Sequence, residues 1–246
     1  MVDTPMPLTA HLAELRSRLI WCMMALAVGF IVCYGLSDRI VAALQAPVVL
    51  VGQPMKVPLQ IIAPAEAFVT YIKVGLIAGL FLVLPFILYE LWKFVAPGLL
   101  EHEKKYTVPF LVGSAALFYS GGVIFYLVLP FIINFLLSFA KGDIKAQLSV
   151  GYYVTFCVRL MIAFGLVFEL PMVVVFLTQL GLLSSRLLVH YFRHAVVMIF
   201  VLAAILTPTT DPLSLLFMVL PITFLFVSYY LYHKIIDAKK ENIVNY

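Results

Sequence analysis

Residues 106–140 read YTVPFLVGSAALFYSGGVIFYLVLPFIINFLLSFA, thirty-five positions without one charged side chain. A helix needs about 20 apolar residues to cross the hydrocarbon of a bilayer. This stretch exceeds that length, so its helix should tilt or project beyond the membrane. Its apolar residues run on without alternating, which argues against a barrel strand. Similar stretches lie on either side. Residues 19–37 and 74–89 are uncharged, and Lys73 and Lys93 bracket the second, placed to snorkel. Residues 156–180 form a fourth span with one carboxylate, Glu169. A short fifth covers 195–206 and a sixth 212–232. Between them Thr207-Pro208-Thr209-Thr210-Asp211-Pro212 reads as a turn.

Composition agrees. Of 246 residues, 64% are hydrophobic and 11% charged, and mean hydropathy is +1.11. Soluble domains carry roughly 45–50% and 25%. Sixteen basic and twelve acidic residues cannot cover a soluble surface of this size, which excludes a cytosolic globular enzyme and a disordered chain. The expected architecture is all-α: one integral membrane domain over 1–246. It comprises an amphipathic lead-in (1–18), a six-span core (19–232) and a tail (233–246). Residues 1–18 are polar-mixed and no small-residue cleavage site follows the first span, so no cleavable signal peptide is expected.

Six spans put both termini on one side. With the N-terminus inside, ten Lys and Arg fall on inner segments and six on outer ones. The positive-inside rule therefore favours cytoplasmic termini. The net charge of +4 speaks to orientation, not to nucleic acid. The first outer loop, about 38–66, has prolines at 47, 54, 58 and 64 and reads as an ordered cap rather than a helix. No internal repeat is visible, which weakens an inverted-repeat transporter reading.

Few residues can carry chemistry. Leu8, Leu12, Leu15 and Leu19 make one helical stripe, and Glu14 and Arg18 are spaced to pair along it. An interfacial lead-in explains both. The inner loop between spans 2 and 3 is read as holding Glu90, Trp92, Phe94, Glu101 and Glu103. Carboxylates over aromatic rings suit a guanidinium, which binds carboxylate bidentately and stacks on rings. A solvated charge run with interface aromatics fits equally well. Glu169 is the sharpest signal, because a charge at mid-bilayer costs about 3 kcal/mol on insertion scales. Pro171 leaves the Val167 carbonyl without its helical partner, so a polar notch is expected there. Packing against a neighbouring helix is the plainer alternative. Asp211 before Pro212 is explained as a helix cap. Cys22, Cys33 and Cys157 lack Cys-x-x-Cys spacing and read as small packing residues. No phosphate loop, nucleophile motif or metal-ligand spacing appears, so neither cofactor nor metal is expected.

Four segments in order resemble the TatC family, the twin-arginine translocase subunit. They are His11-Leu12-Ala13-Glu14-Leu15-Arg16; Pro85 with Tyr89-Glu90-Leu91-Trp92-Lys93-Phe94-Val95-Ala96-Pro97-Gly98-Leu99 and His102-Glu103-Lys104; Ala163-Phe164-Gly165 with Phe168-Glu169-Leu170-Pro171; and Thr207-Pro208 with Asp211. The resemblance implies six spans in a glove-like, concave arrangement with spans 5 and 6 short. It implies a multi-pass protein of a prokaryotic cytoplasmic (inner) membrane. It also implies a signal-peptide site at Glu14, Phe94 and Glu103, with Glu169 on the concave face and an outer-turn site at Asp211. The implied partners are twin-arginine signal peptides of folded cargo, TatA- and TatB-type single-span subunits in an oligomeric complex, and membrane lipid. Export would use the proton gradient. Leu215 and Val227 stand where many members carry Gln and Glu, and the turn is one residue longer than usual. A proton-coupled small-molecule transporter using Glu169 is the rival reading; an intramembrane enzyme lacks a nucleophile–base pair.

Overall fold

The computed structural model of the chain describes residues 8–50, 59–95, 107–139, 148–179, 192–206 and 212–227. The described residues are almost entirely helical. Helix α1 (Leu8–Tyr34) carries the lead-in and the first span without a break. Leu12, Leu15 and Leu19 are exposed along it, as a stripe facing lipid would be. Helix α2 (Ser37–Leu50) follows. Then come α3 (Glu66–Val95), α4 (Thr107–Leu137), α5 (Val150–Phe168) and α6 (Leu170–Gln179). Two shorter helices close the described chain, α7 (Phe192–Leu206) and α8 (Pro212–Val227). Strands β1 (Leu59–Gln60) and β2 (Leu148–Ser149) pair in parallel.

Among the described residues, four helical stretches are long and apolar enough to cross a membrane: His11–Tyr34, Glu66–Val95, Thr107–Leu137 and Val150–Thr178. Helices α7 and α8 are short, as expected for the fifth and sixth stretches. At about 1.5 Å per residue each falls short of a 30 Å hydrocarbon layer. Pro212 opens α8, where a missing N–H costs nothing.

Three expectations need correction. The first outer loop is not free of helix, since α2 occupies nearly its first half. Pro47 lies inside α2 and cannot donate to the Ala43 carbonyl. The Tyr126 hydroxyl of α4 donates to that carbonyl instead, at 3.0 Å. The same device recurs in α3, where Pro85 strands the Phe81 carbonyl and the Tyr119 hydroxyl donates to it at 2.8 Å. Prolines here are tolerated because a neighbouring helix satisfies what they free. Second, Glu90, Trp92 and Phe94 belong to α3, not to the following loop, because α3 continues to Val95. Third, Glu169 is not at mid-span. It lies two-thirds of the way along Val150–Thr178, level with residues 88–95 of α3.

The core is formed by α4 and α5 with α7 and α8 against them. Phe125, Leu129 and Ile132 meet Val154, Cys157, Leu160, Phe164 and Phe168. Met218, Ile222 and Phe226 of α8 and Ala203 of α7 complete it. Cys33 and Cys157 are buried free thiols, and Cys22 is half-buried and also free.

Candidate functional site: a carboxylate clasp between two helices

Helices α1 and α3 run antiparallel and cross at two glycines. A Cβ on Gly79 would stand 2.7 Å from the Gly29 carbonyl carbon and the Phe30 nitrogen. A Cβ on Gly29 would stand 2.9 Å from the Gly79 oxygen. Only glycine permits backbones to approach so closely, and in lipid such packing is a main source of helix association. Arg18 lies eleven residues before Gly29, and Glu90 eleven residues after Gly79. Eleven residues are about three turns and 16 Å. Both side chains therefore return to the crossing face at the same height, beyond the same end of the contact.

There they meet. Arg18 Nη1 donates to Glu90 Oε2 at 2.9 Å, and Nη2 donates to Glu14 Oε1 at 3.1 Å. The i,i+4 pairing of Glu14 with Arg18 is as the spacing expected. The bond to Glu90 is an addition from tertiary structure. Glu90 is 5% exposed, so its carboxylate has few alternatives to this guanidinium. One turn further out, the His11 ring stacks on Phe94 with centroids 4.3 Å apart and planes 19° from parallel. Formal charge, with His11 neutral, is one cation against two carboxylates. The clasp retains a net negative charge while already binding one guanidinium.

Of the sequence candidates, Glu14 and Phe94 are thus brought together. Glu103 and Asp211 lie outside the described residues. Glu169 is elsewhere, at the break between α5 and α6. Its backbone N–H caps α5 toward the Leu166 and Val167 carbonyls, the latter being the group Pro171 leaves without a helical donor. The expected notch is a cavity of about 250 Å³ lined by Trp92, Ser114, Glu169, Met172 and Phe176. Ser114 lies beside the carboxyl, whose Oε1 is buried and has no hydrogen-bond partner among the described residues. Trp92 walls the cavity, packing on Phe110 and edge-on to Phe176. It stands two residues from Phe94, so α3 links notch and clasp. On sequence alone Glu90 counts as one of the loop carboxylates, with no binding role of its own. The available signal was its i,i+4 spacing to Phe94, legible only once the helix is carried past the apolar stretch. Among the described residues no cluster of His, Cys, Asp or Glu could hold a metal.

Comparison with known proteins agrees with this architecture. Residues 10–221 match the family model described as Sec-independent protein translocase protein (TatC). The Sec-independent protein translocase protein TatC of Magnetococcus marinus is 39% identical over 92% of this chain and 83% of its own length. That of Koribacter versatilis is 35% identical over 88% of this chain and 81% of its own. The crystal structure of the twin-arginine translocase receptor TatC in DDM superposes with a TM-score of 0.77 at 31% identity, covering 91% of this chain and 99% of that one. A match over most of the sequence, and a likeness over nearly all of a solved fold, lead to one conclusion: this chain belongs to the TatC family, the multi-pass membrane components of the Sec-independent protein translocase.

Proposed function

We propose that the chain is the receptor subunit that binds twin-arginine signal peptides, with Glu14, Glu90, Phe94 and Glu103 as the binding residues. The observation that carries this reading is Arg18, a guanidinium held by carboxylates from two helices beside an aromatic ring. A peptide arginine makes the same contacts by replacing Arg18. The second peptide arginine pairs with the remaining negative charge, to which Glu103 contributes. Phe94 packs the adjoining apolar residue of the peptide. Arginine outranks lysine because only the planar guanidinium can bridge two carboxylates in this fork.

The apolar part of the signal peptide then enters the membrane past the Glu169 notch. Glu169 donates or accepts a hydrogen bond with a polar group of the peptide or of a partner helix. Single-span TatA- and TatB-type subunits dock near the later spans, and the proton gradient drives folded cargo across. Both termini lie in the cytoplasm of a prokaryotic inner membrane, as the Lys and Arg distribution favours.

The test is binding of a labelled twin-arginine peptide to the purified protein in detergent, with a twin-lysine peptide as control. Twin-arginine should bind more tightly, and Glu14→Ala with Glu103→Ala should abolish the difference. Binding that follows total charge alone would overturn the reading.

A further inference from the structure

The opposite end of α3 holds a second built site. Glu66, the first residue of α3, spends its carboxylate on backbone. Its Oε2 accepts from the N–H of Ile62 at 2.6 Å and of Ala63 at 3.1 Å. Its Oε1 accepts from the N–H of Gly151 at 2.7 Å and from the Ser149 hydroxyl. A carboxylate has about four lone-pair sites, and these four bonds use them. The knot ties the start of α3 to the start of α5, and a Cβ on Gly151 would stand 2.7 Å from Glu66 Cγ.

Below the knot lies an open cavity of about 650 Å³ between α3 and α5. Two cations line it, Lys73 and Arg159. Lys73 Nζ donates to Thr155 Oγ1 at 3.0 Å, and Thr155 stands one helical turn from Arg159. Neither cation has an ion-pair partner among the described residues. Glu66 cannot serve, because its oxygens are engaged. Thr70 is buried at the wall, Phe156 is half-buried, and Tyr152 is exposed at the mouth.

Depth decides the ligand. From Lys73 the chain runs sixteen residues before the next charge, Glu90. From Arg159 it runs twenty residues to Gln179 with only Glu169 charged. Lys73 lies seventeen residues, about 25 Å, from Glu90, near the level of lipid phosphates, and Arg159, nine residues into the apolar α5, reaches toward that level with its long side chain. The leaflet is the one facing away from the Glu14–Glu90 clasp. Two cations against one committed carboxylate leave a formal charge of +1, which one phosphodiester neutralises.

From this geometry we infer that the Lys73–Arg159 cavity binds the phosphate of an anionic phospholipid in that leaflet. Arg159 takes the phosphate through its guanidinium fork and Lys73 as a point charge. The headgroup fills the cavity, whose other lining residues lie between the knot and the two cations, and the acyl chains leave it along the apolar parts of α3 and α5 beyond Lys73 and Arg159. A zwitterionic headgroup is disfavoured, because its ammonium would face two cations with no free carboxylate to receive it.

Native mass spectrometry of the full chain released from detergent tests this. The probes are phosphatidylglycerol, phosphatidylcholine and inorganic phosphate. The protein should retain one phosphatidylglycerol in preference to phosphatidylcholine. Lys73→Gln with Arg159→Gln should lower that retention about tenfold, the effect of losing a charge-assisted hydrogen bond. Lys93→Gln, at the other end of the same helix, should leave it unchanged. Should the double variant fail to fold by circular dichroism, Arg159→Lys, which keeps the charge but not the fork, should still weaken retention severalfold. Equal retention by wild type and a folded variant would overturn the inference. So would binding of inorganic phosphate with no lipid retained, which marks a free-anion site.

Discussion

Arg18 donates from Nη1 to Glu90 and from Nη2 to Glu14, so it occupies the carboxylates that a peptide arginine would use. Arg18→Gln should therefore tighten twin-arginine peptide binding severalfold, as a Kd from fluorescence anisotropy would report. A weaker Kd would mean that Arg18 organises the site instead of competing for it. Glu90→Gln removes one charged acceptor of the fork. It should reduce the preference for twin-arginine over twin-lysine about tenfold while preserving the fold. At the notch, Glu169→Gln keeps both hydrogen-bonding capacity and shape, so export should persist in part. Glu169→Ala should lose it. Equal export by Ala and wild type would remove Glu169 from the pathway.

At the scale of elements, the α1–α3 crossing sets the clasp. Gly79→Leu would drive a side chain into the Gly29–Phe30 backbone and push the helices apart. Arg18 and Glu90 would then separate although neither is altered. The expected outcome is loss of twin-arginine preference with the protein still inserted in the membrane, measured by peptide binding after extraction. The proline–tyrosine pairs allow a second test. Tyr119→Phe leaves the Phe81 carbonyl without its donor and should cost about 1 kcal/mol. In a Pro85→Ala background the helix supplies its own N–H, so the same substitution should cost less. A thermal-unfolding double-mutant cycle reads the difference, and identical costs in both backgrounds would refute the compensation.

For the whole molecule, the clasp and the Lys73–Arg159 cavity lie at opposite ends of α3, a 30-residue helix of about 45 Å. One end presents carboxylates and the other cations. Under the proposed topology the negative site faces the cytoplasm, where basic peptides arrive, and the positive one faces the far leaflet. Reporter fusions at both termini should report the same compartment. Opposite compartments would refute six spans, and an external report from both termini would reverse the sidedness of both sites together.

The class of fold follows from the amino-acid sequence without any knowledge of packing. Continuous apolar stretches of spanning length can bury their backbone only as membrane helices, so spans, short final helices and the break at Glu169–Pro171 were all legible. Local spacing also made the Glu14–Arg18 pair legible, because four residues on a helix are neighbours whatever surrounds them. The remaining features arise from packing. Glu90 joins Arg18 across seventy-two residues because two glycines let α1 and α3 cross at one height. Helix α2 survives Pro47, and α3 survives Pro85, because tyrosines on α4 supply the missing donors. Glu66 is withdrawn from Lys73 and Arg159 because the turn before α3 supplies two donors and the packing of α5 brings two more, Ser149 and Gly151, to its other oxygen. Each of these depends on which helix becomes whose neighbour, and periodicity along one chain segment carries no such information.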